Sequence, residues 1–244
     1  MITVQNLHKR FDKIVAVEDV SFAAADGEIT GLLGPNGAGK TTVLRILYTV
    51  YAPDRGTAVI DGYDVKQSPR AVRERIGVLP DSGGLYTRLT AREHARYFGR
   101  LHGLPPAELE RRIDELVKLL EMEDIADRRT EGFSHGQRVK VSLARALVHN
   151  PRTLMLDEPT NGLDVMSTRA VRRLLLRLRD EGHCILFSSH VMQEVSALCN
   201  RIVVVARGRV AAAGTADELR AATGQPNLED AFVAAIGSAE GLML

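Results

Sequence analysis

The pattern of apolar and polar positions changes its period several times along the chain. Residues 2–7, 13–22 and 28–33 have the β-branched enrichment and partial alternation of strands, and apolar residues recur at helical spacing over 39–50. Turn residues follow, and two more strands are predicted at 57–60 and 76–79. The first third of the chain is therefore predicted to interleave strands with helices.

The pattern between about residues 82 and 150 is helical, without an obvious strand. Thr90 with Glu93, and Ser134 with Gln137, match the capping box that begins a helix. A further helix is predicted there over 106–122, behind a proline at its first position. We expect this stretch to be a helical insert within an α/β domain.

Strands and helices alternate again after residue 150. Predicted strands cover 153–156, 184–188 and 202–205, and predicted helices cover 165–181 and 191–199. Such alternation calls for a mixed, largely parallel sheet covered on both faces. We expect 1–81 and 151–224 to form the α/β core, 82–150 the helical lobe, and 225–244 a short helical tail.

Composition narrows the classes of protein. The 244 residues are 45% hydrophobic and 26% charged, and the net charge of +1 lacks the broad basic footprint of a nucleic-acid binder, although a local patch stays open. No run approaches the ~20 apolar residues of a membrane span, and no signal peptide is evident. Cys184 and Cys199 suit reduced core thiols. These features favour a cytosolic protein, with docking onto a membrane-embedded partner left open.

A glycine-rich loop between a predicted strand and a predicted helix carries the clearest chemistry. It fits the phosphate-loop pattern, in which backbone N–H groups surround phosphate oxygens, a lysine reaches the β and γ phosphates and a hydroxyl binds Mg²⁺. The alternative is a helix-capping turn that binds nothing. The expected phosphate-binding residues are Gly34, Pro35, Asn36, Gly37, Ala38, Gly39, Lys40, Thr41 and Thr42, with the Thr41 hydroxyl on Mg²⁺.

Two adjacent carboxylates end the apolar strand that begins at Thr153. Asp157 is expected to hold Mg²⁺, and Glu158 to orient or deprotonate the attacking water. The alternative is an acidic pair leading into a helix. His190 follows another strand and is expected at the same edge of the sheet, where it would contact the γ-phosphate. A helix cap or a satisfied core histidine is the alternative for His190.

The segment from Phe133 to Gln137, Phe-Ser-His-Gly-Gln, is similar to the signature of ATP-binding cassette proteins. With it, the phosphate loop, Asp157-Glu158 and His190 stand in that family's order, and the resemblance covers essentially the whole chain. The resemblance implies a P-loop ATPase core with an N-terminal antiparallel β subdomain and a helical insert. It also implies that Ser134, Gly136 and Gln137 face the ATP of a second copy, with two nucleotides between head-to-tail cassettes.

Further positions follow from the same resemblance. Asp164 falls in the family's D-loop at the junction of the two copies, and Phe11 where the family places an aromatic ring against adenine. Three positions depart from the pattern. Phe133 and His135 replace the usual leucine and glycine of the signature, and Asp81 replaces a glutamine that usually contacts Mg²⁺, a role that Asp81 would fill with a shorter arm.

The expected function is that of the ATPase subunit of a transporter, resembling the sodium-extrusion and drug-export branch. Its partners would be a separate membrane permease and a second copy, with no nucleic acid, at the cytoplasmic face of the membrane. We expect the permease to dock near 76–89, around the loop residues Ser82, Gly83 and Gly84. A soluble cassette ATPase acting on nucleic acid or ribosomes is the alternative, and a GTPase switch is a third hypothesis.

Overall fold

The computed structural model describes residues 1–81 and 84–237, and its elements follow the predicted alternation of strands and helices. The strands are β1 (Ile2–Phe11), β2 (Ile14–Ala24), β3 (Ile29–Leu33), β4 (Arg55–Ile60), β5 (Tyr63–Asp64), β6 (Ile76–Leu79), β7 (Thr153–Asp157), β8 (Cys184–Ser189), β9 (Arg201–Ala206) and β10 (Arg209–Gly214). The helices are α1 (Lys40–Leu47), α2 (Pro69–Arg73), α3 (Ala91–Leu101), α4 (Pro106–Leu119), α5 (His135–Leu147), α6 (Val165–Asp180), α7 (Met192–Leu198), α8 (Ala216–Thr223) and α9 (Leu228–Ile236).

Within the described residues the strands form one sheet in the order β5-β4-β1-β2-β10-β9-β3-β8-β7-β6. From β9 to β6 every neighbouring pair is parallel, whereas β5, β4, β1 and β2 pair antiparallel. The predicted mixed, largely parallel sheet with an antiparallel N-terminal part is confirmed. Because β3, β7 and β8 lie side by side, the ends of these parallel strands bring their loops to one edge of the sheet.

The two faces of the central strands are buried in different apolar clusters. Every residue of β3 is buried, which accounts for its unbroken apolar run. On one face Leu32 belongs to the cluster that contains Val43 and Leu47 of α1. On the other face Leu33 belongs to the cluster that contains the α6 side chains and the helical insert. The site-bearing loops are thus fixed to a sheet that is packed on both sides.

The insert begins its helices where the sequence predicts. Thr90 and Ser134 both form complete capping boxes, in which the hydroxyl accepts from the backbone N–H of the third helical residue and that residue's side chain accepts in return. The helix predicted over 106–122 instead ends at Leu119, because Glu121 has a φ of 52°, which interrupts helical geometry. Both α3 and α5 pack against α4, and the apolar side chains of the insert belong to the same cluster that covers one face of the sheet.

The C-terminal part contains elements that the pattern did not predict, namely β10 and α8. The tail predicted from residue 225 contains α9, while residues 238–244 lie outside the described residues, as do Ser82 and Gly83 of the predicted docking loop. Over 1–81 and 84–237, no helix combines the length and apolar character needed to cross a membrane.

Candidate active site

The phosphate loop lies where fully buried β3 ends and α1 begins. Gly39 is the N-cap residue of α1 with a φ of 106°, and a Cβ on it would lie 2.5 Å from the carbonyl oxygen of Ala16. A side chain at this position is therefore excluded by both backbone conformation and space. No side chain caps α1, so its first N–H groups have no acceptor from that source. This arrangement leaves an anion site at the helix N-terminus.

Lys40 is only 6% exposed, and its ammonium lies inside the loop. The Nζ donates to the carbonyl oxygens of Gly34 at 2.7 Å and Pro35 at 3.2 Å, and it lies 3.8 Å from Glu158 Oε1. Burial lowers the Lys40 pKa, and the neighbouring carboxylates oppose that shift. The chain therefore holds a buried cation beside the space where phosphate would enter.

Asp157 is 2% exposed, and its two carboxylate oxygens differ in their hydrogen bonding. Its Oδ1 accepts from Ser188 Oγ at 2.5 Å and from Thr41 Oγ1 at 3.3 Å, whereas its buried Oδ2 has no hydrogen-bond partner. Burial raises the Asp157 pKa. A buried carboxylate oxygen without a donor is costly, and a cation would supply the missing contact.

Glu158 and His190 lie together although 32 residues separate them in sequence. His190 Nδ1 is 3.0 Å from Glu158 Oε2, so the Glu158 carboxylate lies between this imidazole and the Lys40 ammonium. Glu158 has a φ of 50°, in the left-handed region that a non-glycine residue rarely adopts. Its backbone N–H donates to Ser188 Oγ at 3.1 Å, which helps to hold that conformation.

One cavity brings Lys40, Thr41, Glu158 and His190 together, whereas Gly34, Pro35 and Asp157 are not in its lining, and Asp157 lines a second cavity with Asp81 and Glu158. The residues that line it are Ile14, Val15, Ala16, Asn36, Gly37, Ala38, Gly39, Lys40, Thr41, Thr42, Asp81, Glu158, Asn161 and His190. Most of the residues predicted for the phosphates are therefore in one place, with Asp81 in the wall. Phe11 is absent from the lining; the residue is 37% exposed, and its ring packs edge-on against Tyr51, with the ring centroids 5.0 Å apart.

The structure also supplies site residues that the sequence pattern did not indicate. Ile14 and Val15 are 71% and 46% exposed beside the cavity, an unusual position for β-branched apolar side chains. Ser188 contacts both Asp157 and the backbone of Glu158. Two apolar residues directly after the turn at residue 12 could have been recognised in the sequence. The Ser188 contacts could not, because they depend on the pairing of β7 with β8.

The signature residues lie outside this cavity. Ser134 caps α5, and Gly136 packs so closely against α6 that a Cβ on it would lie 2.8 Å from Ser167 Oγ. Asp164 caps α6 and accepts from Ser167 Oγ at 2.7 Å. None of the three, nor Gln137, lines the phosphate-loop cavity. Within one chain, these four residues therefore do not line the phosphate-loop cavity, although their neighbour His135 contacts the carbonyl of Asn161, a residue of its wall, at 2.9 Å.

The fold and the cavity define a P-loop nucleotide hydrolase, and comparison with known proteins identifies its family. Residues 17–161 match the family model described as ABC transporter. The chain is 45% identical over 224 residues to the ABC transporter ATP-binding protein NatA of Bacillus subtilis, covering 90% of this chain and 91% of NatA. The chain belongs to the ABC transporter family, and it is an ATP-binding and ATP-hydrolysing cassette.

Two further relatives are informative. The daunorubicin resistance ATP-binding protein DrrA3 of Streptomyces coeruleorubidus is 39% identical over 228 residues, covering 93% of this chain and 72% of DrrA3. A solved dimeric cassette in a post-hydrolysis state, bound to ADP and Pi, has a TM-score of 0.80 and 26% identity, covering 88% of this chain and 98% of that chain. The resemblance to cassette ATPases found in the sequence is thus confirmed.

Proposed function

We propose that this chain powers export through a separate membrane permease, at the cytoplasmic face of the membrane. Two copies would close head to tail around two ATP molecules, and hydrolysis would reopen them. The names of NatA and DrrA3 support a transporter subunit and, for DrrA3, drug resistance. The observation that carries the proposal is that the signature residues do not line the phosphate-loop cavity of their own chain, so that a second copy would be needed to bring them to the nucleotide.

The roles of the cavity residues follow from their contacts. The N-terminus of α1 and Lys40 would bind the phosphates, and Glu158 would orient the attacking water and accept its proton. His190, 3.0 Å from Glu158, would hold that carboxylate and contact the γ-phosphate. Across the junction, Ser134, Gly136, Gln137 and Asp164 of the second copy would complete the site.

The residues around Asp157 fit Mg²⁺. Asp157 Oδ2 is buried without a hydrogen-bond partner, and the Thr41 hydroxyl lies beside the same carboxylate. The described residues hold no group of three His, Cys, Asp or Glu side chains that could bind a metal ion alone, so phosphate and water oxygens would supply the other ligands. Asp81, in the cavity wall, would contribute another oxygen. The ion would neutralise charge on the β and γ phosphates.

A second cavity is the proposed docking site for the permease. It lies between the sheet and the helical insert, with Ile76, Val78 and Pro80 on one side and Phe98 and Leu101 on the other. Leu101 is 65% exposed, which is unusual for so large an apolar side chain and favours a protein partner.

We propose that 1–81 with 151–224 is the nucleotide-binding core and 82–150 the lobe that moves with the permease, with 225–244 as a tail.

The Glu158→Gln variant tests the function. The amide keeps the size of the side chain but cannot accept the water proton, so ATP should still bind while turnover falls by about 10³-fold or more. An ATP-dependent dimer should then accumulate in size-exclusion chromatography. Glu123→Gln, on the exposed surface of the insert, is the matched control and should behave as wild type. Near-normal turnover of Glu158→Gln would refute the role assigned to Glu158.

A further inference from the structure

Glu194 is a buried carboxylate that the proposed reaction does not use. It lies on α7, four residues after His190, and is 8% exposed. Burying a carboxylate is costly unless hydrogen bonds or an opposite charge compensate it. Its contacts therefore indicate which role this buried charge has in the structure.

Both carboxylate oxygens of Glu194 have partners. Oε2 accepts a short hydrogen bond from Thr160 Oγ1 and a longer one, 3.4 Å, from Ser189 Oγ. Oε1 lies 3.9 Å from Arg172 Nη2 of α6. Thr160 and Ser189 are themselves buried, at 7% and 1% exposure. The contacts with the two hydroxyls are therefore shielded from water.

The two hydroxyl groups belong to the two turns that carry the catalytic side chains. Thr160 lies in the turn after Glu158, which is closed by a hydrogen bond from Asn161 N–H to the Glu158 carbonyl at 3.1 Å. Ser189 precedes His190, and its Oγ accepts from Val191 N–H at 3.0 Å, closing a turn around His190. Since Ser189 donates its one hydroxyl proton to Glu194, its lone pairs remain for the Val191 N–H.

We propose that Glu194 is a positioning residue that holds the Glu158 turn and the His190 turn in a fixed relative position. Glu194 Oε2 joins the two turns inside the protein through its two hydrogen bonds. The 3.0 Å contact of Glu158 with His190 joins the same turns at the cavity. The inference rests on the roles proposed above for Glu158 and His190. Misplacement of a catalytic group by about 1 Å can cost ~10²-fold in rate.

The test measures kcat and ATP affinity separately in the full chain. Glu194→Ala should lower kcat by about 10- to 100-fold and change ATP affinity by less than about threefold, because the phosphate loop is untouched. Glu194→Gln should restore kcat to within about threefold of wild type, since its amide oxygen accepts from both hydroxyls. The matched control Gln193→Ala changes an exposed side chain on the same helix and should keep kcat within about threefold.

Single-hydroxyl variants keep the inference testable if Glu194→Ala does not fold. Thr160→Val and Ser189→Ala each delete one of the two hydrogen bonds to Glu194, and each should lower kcat by about 3- to 10-fold at preserved ATP affinity. A folded Glu194→Ala chain with wild-type kcat would overturn the inference, and so would a Glu194→Gln chain as slow as Glu194→Ala. Wild-type turnover in Glu158→Gln would instead overturn the role proposed for Glu158, on which this inference rests, so the two failures are distinguishable.

Discussion

The phosphate loop and the signature segment each lie at the start of a helix, but the two helix starts differ in how their backbone N–H groups are capped. At α1 the N-cap residue is Gly39, and no side chain caps the helix. At α5 the Ser134 hydroxyl accepts from the Gln137 N–H, and the Gln137 side chain accepts from the Ser134 N–H, at 3.2 and 3.0 Å. The first helix start is therefore left open for an external anion, whereas the second is stable without one.

Burial separates the two regions further. Lys40 and Asp157 are 6% and 2% exposed, and burial lowers the pKa of the lysine and raises that of the aspartate. Both shifts favour the neutral forms, so the bare site carries a desolvation cost that charged ligands would reduce. Ser134 is exposed and carries no comparable cost. The contrast indicates that the phosphate-loop region is organised for an anion in advance, whereas under the proposed function the signature region would contact ATP only in the dimer.

Among the changes that test this comparison, removing the buried cation should have the largest effect. Lys40→Met keeps an apolar stem of similar length but no charge, so ATP affinity should fall by about 10²-fold, as measured by fluorescent nucleotide titration. Lys66→Met changes an exposed lysine outside the cavity and is the control, with affinity expected to match wild type. If Lys40→Met bound ATP like wild type, the phosphate loop would not be the charged half of the site.

The sequence predicts the phosphate loop well because its key contacts are local: Lys40 reaches Gly34 and Pro35, six and five residues away. The Ser188 and Glu194 contacts join segments 30 to 34 residues apart and follow from strand order, which periodicity does not specify. Strand β10 went unpredicted because alanine, rare in strands, fills its centre. The positive φ values of Arg207 and Gly208 show the tight turn that joins it to β9.

A cross-linking experiment would test whether the signature residues of a second copy lie opposite the phosphate loop. If the signature of one copy faces the phosphate loop of the other, a bifunctional maleimide long enough to span the bound nucleotide should join Asn36→Cys and Ser134→Cys chains into a covalent dimer. We expect ATP to raise the yield about tenfold, because ATP bound to one copy and contacted by the signature of the other would favour the closed pair. Denaturing electrophoresis without reductant measures the product.

The native thiols should not interfere with this cross-link. Burial raises the pKa of Cys184 to about 11 and raises that of Cys199 as well, so neither supplies much thiolate at neutral pH. Each single variant incubated alone is the control and should give little dimer. A yield in the mixture no greater than in the separate variants would contradict the head-to-tail arrangement and make the signature segment a structural helix start.

The smallest effect would separate the structural role of Ser134 from its role at the junction. Thr90 and Ser134 begin α3 and α5 of the same insert with equivalent capping boxes, so Thr90→Ala and Ser134→Ala should each lower the free energy of unfolding by about 1 kcal/mol in urea titrations. Only Ser134→Ala removes a hydroxyl proposed to face ATP, and it alone should weaken ATP-dependent dimerisation, by about 5- to 10-fold. If the two variants dimerised equally, Ser134 would act only as the cap of its helix. Of the two helix starts, only the phosphate loop would then be assigned to ATP binding.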